Sequence, residues 1–424
     1  MGDAAVDGTG TPVGTPAGTP VGSPSAASVQ PVHADDALHF PTLDGVRFLA
    51  YFAVFLSHTI PALRLSDASV AGWSTVVELS TSGGFGVDLF LVLSAFLITS
   101  LLMHEQDRLG TIRVRWFYVR RMLRIWPLYL AFLAAMFVAS SVLPGSLGLH
   151  RLDPAYWITF LLLVGNWYTG LHGYPGSNIS PLWSVSLEEQ FYLLWPLVLL
   201  LLRRHLVKVC AGFIALSVVA RLVVVMLGLS HPAMWTFTVT RLDPIALGAL
   251  LAVGYRRGVL GRLSPATQWA MLIGGFASWP VAFWLMAGEQ PPGLVAALVS
   301  FPLVALCATG ILLAAVQGDG ALRRFFLRRW IVRMGSLSYG TYVFHLLMVH
   351  AAQAALDGQS ATVYNLLLLP LSFGLAWLAA EVSYRWLEAP FLRMRKRFRP
   401  TVSSAGAKDK PPTRAGQTVQ GAAR

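Results

Sequence analysis

Charge is what this chain of 424 residues lacks. Only 12% of it is Asp, Glu, Lys or Arg, while 55% is apolar; an average soluble domain carries about 25% charged residues. The length would allow two or three soluble domains, but there is too little charge to coat them. An ordinary cytosolic enzyme is excluded, and a multi-span membrane protein is the natural reading. Cysteine is scarce as well. Cys210 and Cys307 both sit inside apolar runs, which excludes a disulfide framework or a Cys-based zinc site and casts both as small buried packing residues. No metal is expected.

The charge that is present is lopsided, 32 Lys and Arg against 20 Asp and Glu, a formal +12. In a soluble protein that excess would point to nucleic acid. In a membrane protein it reports basic loops kept on the cytoplasmic side, so no nucleic-acid partner is expected. Residues 1–36 repeat a Gly-Thr-Pro unit and cannot bury enough surface to fold. They contain no Lys or Arg, so they are no signal peptide. Residues 399–424 are again low in complexity and basic. Three segments are therefore expected: a disordered tail over 1–36, a transmembrane domain over 37–398, and a disordered tail over 399–424.

A span needs about 20 apolar residues. Such runs lie near 44–63, 84–103, 122–143, 184–202, 209–229, 236–254, 266–287, 293–316, 334–355 and 362–388. The stretch 155–168 is apolar but short. If it does not cross and the N-terminus is cytoplasmic, 22 basic residues in five clusters share one side: Arg108 to Arg124, Arg203 to Lys208, Arg256 to Arg262, Arg323 to Arg333, and Arg393 to Arg399. The opposite loops then hold only Arg64 and Arg151, beside acids that include Asp67, Glu78, Asp153, Glu289 and Asp357. The expected fold is an all-α bundle of ten spans with both termini cytoplasmic, in the plasma (inner) membrane of a bacterium. Residues 155–182 form a re-entrant or interfacial outer segment.

Ionisable residues at membrane depth are costly, so each asks for a reason. Arg47 and His58 are eleven positions apart, about three turns plus 20°, and share one helix face. Asp88, Glu188, Glu189, Arg241 and Asp243 fall at the level of His58 if the topology holds. Acids around one histidine suit general-base chemistry; Arg241 and Asp243 also suit ion pairing that pins helices together. Arg121 and Arg124, three apart with Arg120 alongside, suit bidentate phosphate recognition or plain positive-inside anchoring. Trp167, Tyr168, Tyr174 and Trp183 can face a sugar ring or form an interfacial belt.

These residues fall in ordered motifs: LDGVRFLAYFAVFLSH, GGFGVDLFLVLSAFLI, FYVRRMLRIWPLYL, PLWSVSLEEQFY and SYGTYVFHLL. On them the chain resembles the acyltransferase-3 family of integral membrane acyltransferases, which O-acetylate bacterial polysaccharides, lipopolysaccharide, peptidoglycan and some macrolide antibiotics. The resemblance covers residues 40–395, with Ala95 where the family often has Gly. It implies ten spans, cytosolic termini, and transfer of an acyl group, most simply acetyl, from cytosolic acyl-CoA through the protein. His58 would be the catalytic base or a transient acyl carrier. Arg47 would line the donor path, Arg121 and Arg124 would hold coenzyme A phosphate, and Asp88, Glu188 and Glu189 match family blocks. Acetyl-CoA is then a co-substrate, with no tightly bound cofactor. Arg47 or a side chain near Trp183 would stabilise the oxyanion. With no appended hydrolase-like domain after the last span, the membrane domain itself is expected to deliver to a carbohydrate-containing acceptor. Trp183, Arg241 and Asp243 are placed on that acceptor side. The rival function is a proton-coupled transporter with His58 and its acids as relay, but no second copy of the Arg47–His58 block signals the usual internal repeat. A structural anchor leaves the polar layer unexplained.

Overall fold

The computed structural model describes residues 40–398, apart from residue 230 and residues 288–292. The tails expected at 1–36 and 399–424 lie outside the described residues, as does Glu289. Every described element is helical. Ten principal helices are α1 (Leu43–Thr59), α2 (Gly86–Leu109), α3 (Val114–Val142), α4 (Leu182–Leu202), α5 (Leu206–Met226), α6 (Leu242–Arg257), α7 (Pro265–Ala287), α8 (Phe301–Val316), α9 (Ser338–Ala355) and α10 (Ala361–Ser383). One stands on each of the ten apolar runs. Seven helical stretches are long and apolar enough to cross a membrane by length and composition. Leu182–Met226 counts as one stretch but holds both α4 and α5. Helices α6 and α9 fall outside the seven. The first is only 16 residues long; the second carries Ser338, Thr341, Tyr342 and His345, all buried among its neighbours.

The segment 155–168 folds as two short helices, Pro154–Leu161 and Gly165–His172, broken between them at Leu163, whose φ is +59°. Asp153 caps the first by accepting from the Ala155 N–H at 2.9 Å, as an N-cap carboxylate should. Gly258 ends α6 with φ +66°, the left-handed closure that glycine adopts without strain.

Helix α2 is the axis of the bundle. Sixteen of its 24 residues are buried on all sides, which a helix apolar all round requires. It packs against α1, α4, α6 and α8. Its partner α6 comes so close that a Cβ on Gly248 would collide with the Val92 carbonyl oxygen. Two cores form on opposite faces of α1 and α2. One joins Tyr51, Phe55, Leu91 and Ile98 to α3, α4 and α9; the other joins Val46, Ala50, Val92 and Phe96 to α6, α7 and α8. The polar site lies within the first.

Candidate functional site

A cavity of about 90 Å³ opens between α1, α2, α3, α4 and α9, room for several waters or a narrow flexible chain. Its wall is unusually cationic for a membrane domain. Arg47 of α1 and Arg121 and Arg124 of α3 all line it, with Ser94 and Glu188 opposite and Ser184, Tyr339 and Tyr342 alongside. Arg47 pairs with Asp44 one turn before it at 2.5 Å. The Arg121 guanidinium lies over the Phe117 and Tyr192 rings, 5.5 and 5.3 Å from their centroids, a cation–π seat that orients it. Neither Arg121 nor Arg124 forms an ion pair with a carboxylate among the described residues. Guanidinium groups left open in a partly dry cavity favour an anionic ligand, phosphate above all.

Glu188 and Glu189 point apart, as neighbours about 100° around a helix must. Glu188 reaches the cavity and accepts from the Ser94 and Tyr192 hydroxyls. Glu189 accepts from Trp126 Nε1 at 2.9 Å. Arg120, placed with the other two arginines by sequence, is held elsewhere. It pairs with Glu105 at 3.0 Å and donates to the Phe398 carbonyl at 2.9 Å, so it is absent from the cavity wall.

His58 lies one residue before the end of α1 with an exposed side chain, and it is not part of the cavity wall. Its Nδ1 lies 2.9 Å from the Val54 carbonyl. A carbonyl only accepts, so Nδ1 carries the hydrogen and Nε2 keeps its lone pair. The neighbouring ring is His345 of α9, 5.0 Å away between centroids at 63°. Ser57 is adjacent at 3.3 Å.

The expected ring of acids around His58 is corrected: no carboxylate bonds to it among the described residues. Asp88 instead pairs with Arg241 at 2.5 Å, each side chain 1% exposed. Asp243 does not pair with Arg241; it pairs with Arg221 of α5 at 3.0 Å, beside Ser217. Arg241 also lies over the Trp235 and Phe301 rings, at 5.1 and 4.8 Å. These four charges neutralise one another between α2, α5 and α6, on the side of α2 away from His58. Buried charge without a partner is expensive, and that cost selects the pairing.

Trp183 is also corrected. It is buried in the core and has no ring face for an acceptor. Trp167 stacks on Phe237 at 4.9 Å and Tyr168 on His172 at 4.0 Å; of the four expected aromatics only Tyr174 is exposed. Cys210 is buried, whereas Cys307 is only partly so. Among the described residues, no three His, Cys, Asp or Glu are placed to hold a metal ion. Sequence reasoning passed over Arg221, Tyr342 and His345, although each is a polar residue inside an apolar run, the signal that singled out Arg47 and His58.

Residues 40–381 match the acyltransferase-3 family model, described as an acyltransferase domain. The chain is 27% identical over 373 residues to the peptidoglycan O-acetyltransferase OatA of Listeria monocytogenes, covering 83% of this chain and 56% of that protein. It is 27% identical over 371 residues to the O-acetyltransferase OatA of Staphylococcus aureus, covering 83% and 57%. The chain thus spans little more than half the length of these relatives. No solved structure matches it.

Proposed function

The chain belongs to the acyltransferase-3 family, and on that premise we propose that it is a membrane O-acetyltransferase. It takes acetyl-CoA from the cytosol and esterifies a hydroxyl of a carbohydrate acceptor on the far side of a bacterial plasma membrane. Ten spans with both termini cytosolic accord with the 22 basic residues on one side, and 155–182 is a re-entrant or interfacial outer segment. A single observation carries the reading: α1 bears Arg47 in a cavity with two open arginines at one end and, about 16 Å along by helical rise, His58 with a basic Nε2 at the other. Arg121 and Arg124 hold the phosphates, the thioester arm runs along α1, and His58 serves as general base for the attacking hydroxyl.

Peptidoglycan is named for the Listeria relative and is the acceptor class to test first, ahead of lipid-linked sugars or glycosylated metabolites. A proton-coupled transporter loses part of its support, because Asp88 and Asp243 are neutralised by Arg241 and Arg221 and no carboxylate bonds to His58 among the described residues. The test is the full chain in nanodiscs with acetyl-CoA and soluble peptidoglycan fragments, reading ester-linked acetate and released thiol. The His58→Ala protein is expected to lose at least about 100-fold in rate, the usual worth of a positioned base. Undiminished ester formation by that variant overturns the proposal.

A further inference from the structure

His345 is fully buried at 0% exposure. Its Nδ1 donates to the Tyr342 carbonyl of its own helix, which leaves the lone pair on Nε2. That nitrogen has no hydrogen-bond partner among the described residues. A buried acceptor without a donor is a defect that stable cores avoid, and this one lies in the ring beside His58, 5.0 Å between centroids. In that arrangement the edge of one imidazole meets the face of the other, and one water suffices to bridge their nitrogens. Three residues before it, Tyr342 lines the arginine cavity. Its hydroxyl lies 2.7 Å from Ser184 Oγ and 3.1 Å from the Pro181 carbonyl. The pair therefore places a cavity-wall residue and a ring beside His58 on one turn of α9.

His58 also lacks what a general base ordinarily has behind it. An imidazole that takes a proton becomes a cation, and a carboxylate usually steadies it. Here, among the described residues, Nδ1 faces a backbone carbonyl and the ring beside it is a second imidazole. The proton has to move on.

We propose that His345 is a positioning residue for acyl transfer, whose free Nε2 takes over the proton that His58 removes from the acceptor. The inference rests on the acyl-transfer reading above. In the step, the acceptor oxygen forms a bond to the acyl carbon and the carbon–sulfur bond breaks, its electron pair leaving with the sulfur. The hydroxyl proton goes to His58 Nε2, then to His345 Nε2, so that His58 is neutral again. The proton finally returns through His58 to the thiolate, which leaves as the free thiol. Nothing is oxidised or reduced.

The test uses the full chain in nanodiscs with acetyl-CoA and peptidoglycan fragments. In His345→Phe the ring and its edge contact with His58 persist while both nitrogens are gone. Expected is a fall in kcat of about 100-fold, with KM for acetyl-CoA changed less than about threefold, since His345 lies outside the arginine cluster that holds the phosphates. In His345→Ala, added imidazole is expected to restore much of the lost rate, which a purely packing role would not allow. If His345→Phe works at the wild-type rate while His58→Ala is dead, the relay is overturned and the acyl-transfer reading stands. If His58→Ala is itself fully active, the reading beneath it fails. If imidazole does not rescue a His345→Ala protein that still binds acetyl-CoA, the relay is likewise overturned.

Discussion

Two sets of arginines sit inside this helical bundle, and their surroundings differ sharply. Arg221 and Arg241 are sealed, at 0% and 1% side-chain exposure, and each is matched to one aspartate. Arg121 and Arg124 line a cavity, and neither is ion-paired to a carboxylate among the described residues. The first set is neutral within the protein. The second is left open to the cavity. Two arginines at membrane depth therefore need not share a purpose, and what distinguishes them is whether the fold supplies the counter-charge.

Breaking the sealed set should have the larger effect on stability. Arg241→Leu would strand Asp88 among apolar neighbours, and removing one partner of a buried pair costs about 3–5 kcal/mol. Thermal unfolding in detergent should show it as a steep loss of folded protein. The paired change Arg241→Leu with Asp88→Leu should recover most of that loss, because the stranded charge has gone. A single variant as stable as the parent would show that these charges are not sealed from water.

The open set should respond in binding instead. Arg121→Ala removes a charge-assisted contact worth about 1.5–3 kcal/mol, which is roughly 10- to 100-fold in affinity for acetyl-CoA. Its unfolding temperature should stay close to the parent's, since no carboxylate is orphaned. Titration calorimetry on the nanodisc protein measures the first, and a thermal scan the second. An Arg121→Ala protein that binds acetyl-CoA normally would remove the cavity from the donor path.

The difference between the two sets was not legible in the sequence. Hydropathy places all ten principal helices, because a membrane interior admits little besides apolar helix, and α1 through α10 stand where the runs are. The shared face of Arg47 and His58 follows from helical period alone. Which helix faces which does not, because α2, α6 and α8 are apolar nearly all round and carry no stripe to orient them. Depth alone therefore suggests that Asp88, Arg241 and Asp243 lie near His58, whereas Asp88 pairs with Arg241 and Asp243 with Arg221. Arg221 stands in an unbroken apolar run, and that position alone announces a buried partner. His345 was visible in SYGTYVFHLL, but nothing in a linear pattern says that its ring meets that of His58.

Arg120 is the case that divides the two sets most finely, and its effect should be the smallest. It is next to Arg121 in sequence and carries the same charge, yet it pairs with Glu105, which also accepts the Arg113 backbone N–H at 2.9 Å. Arg120→Gln keeps a donor toward Glu105 and removes the cation. With the Arg120 side chain 18% exposed above a Glu105 that is 5% exposed, the loss should fall between the ~1 kcal/mol of a surface pair and the cost of a sealed one. Its affinity for acetyl-CoA should stay within about twofold of the parent, because no cavity contact is lost. The comparison with Arg121→Ala is then direct: adjacent residues, one charge removed from each, stability moving in one and binding in the other. If Arg120→Gln weakens acetyl-CoA as much as Arg121→Ala does, the bound donor draws Arg120 away from Glu105, and ion pairing in the empty protein no longer separates structural arginines from binding ones.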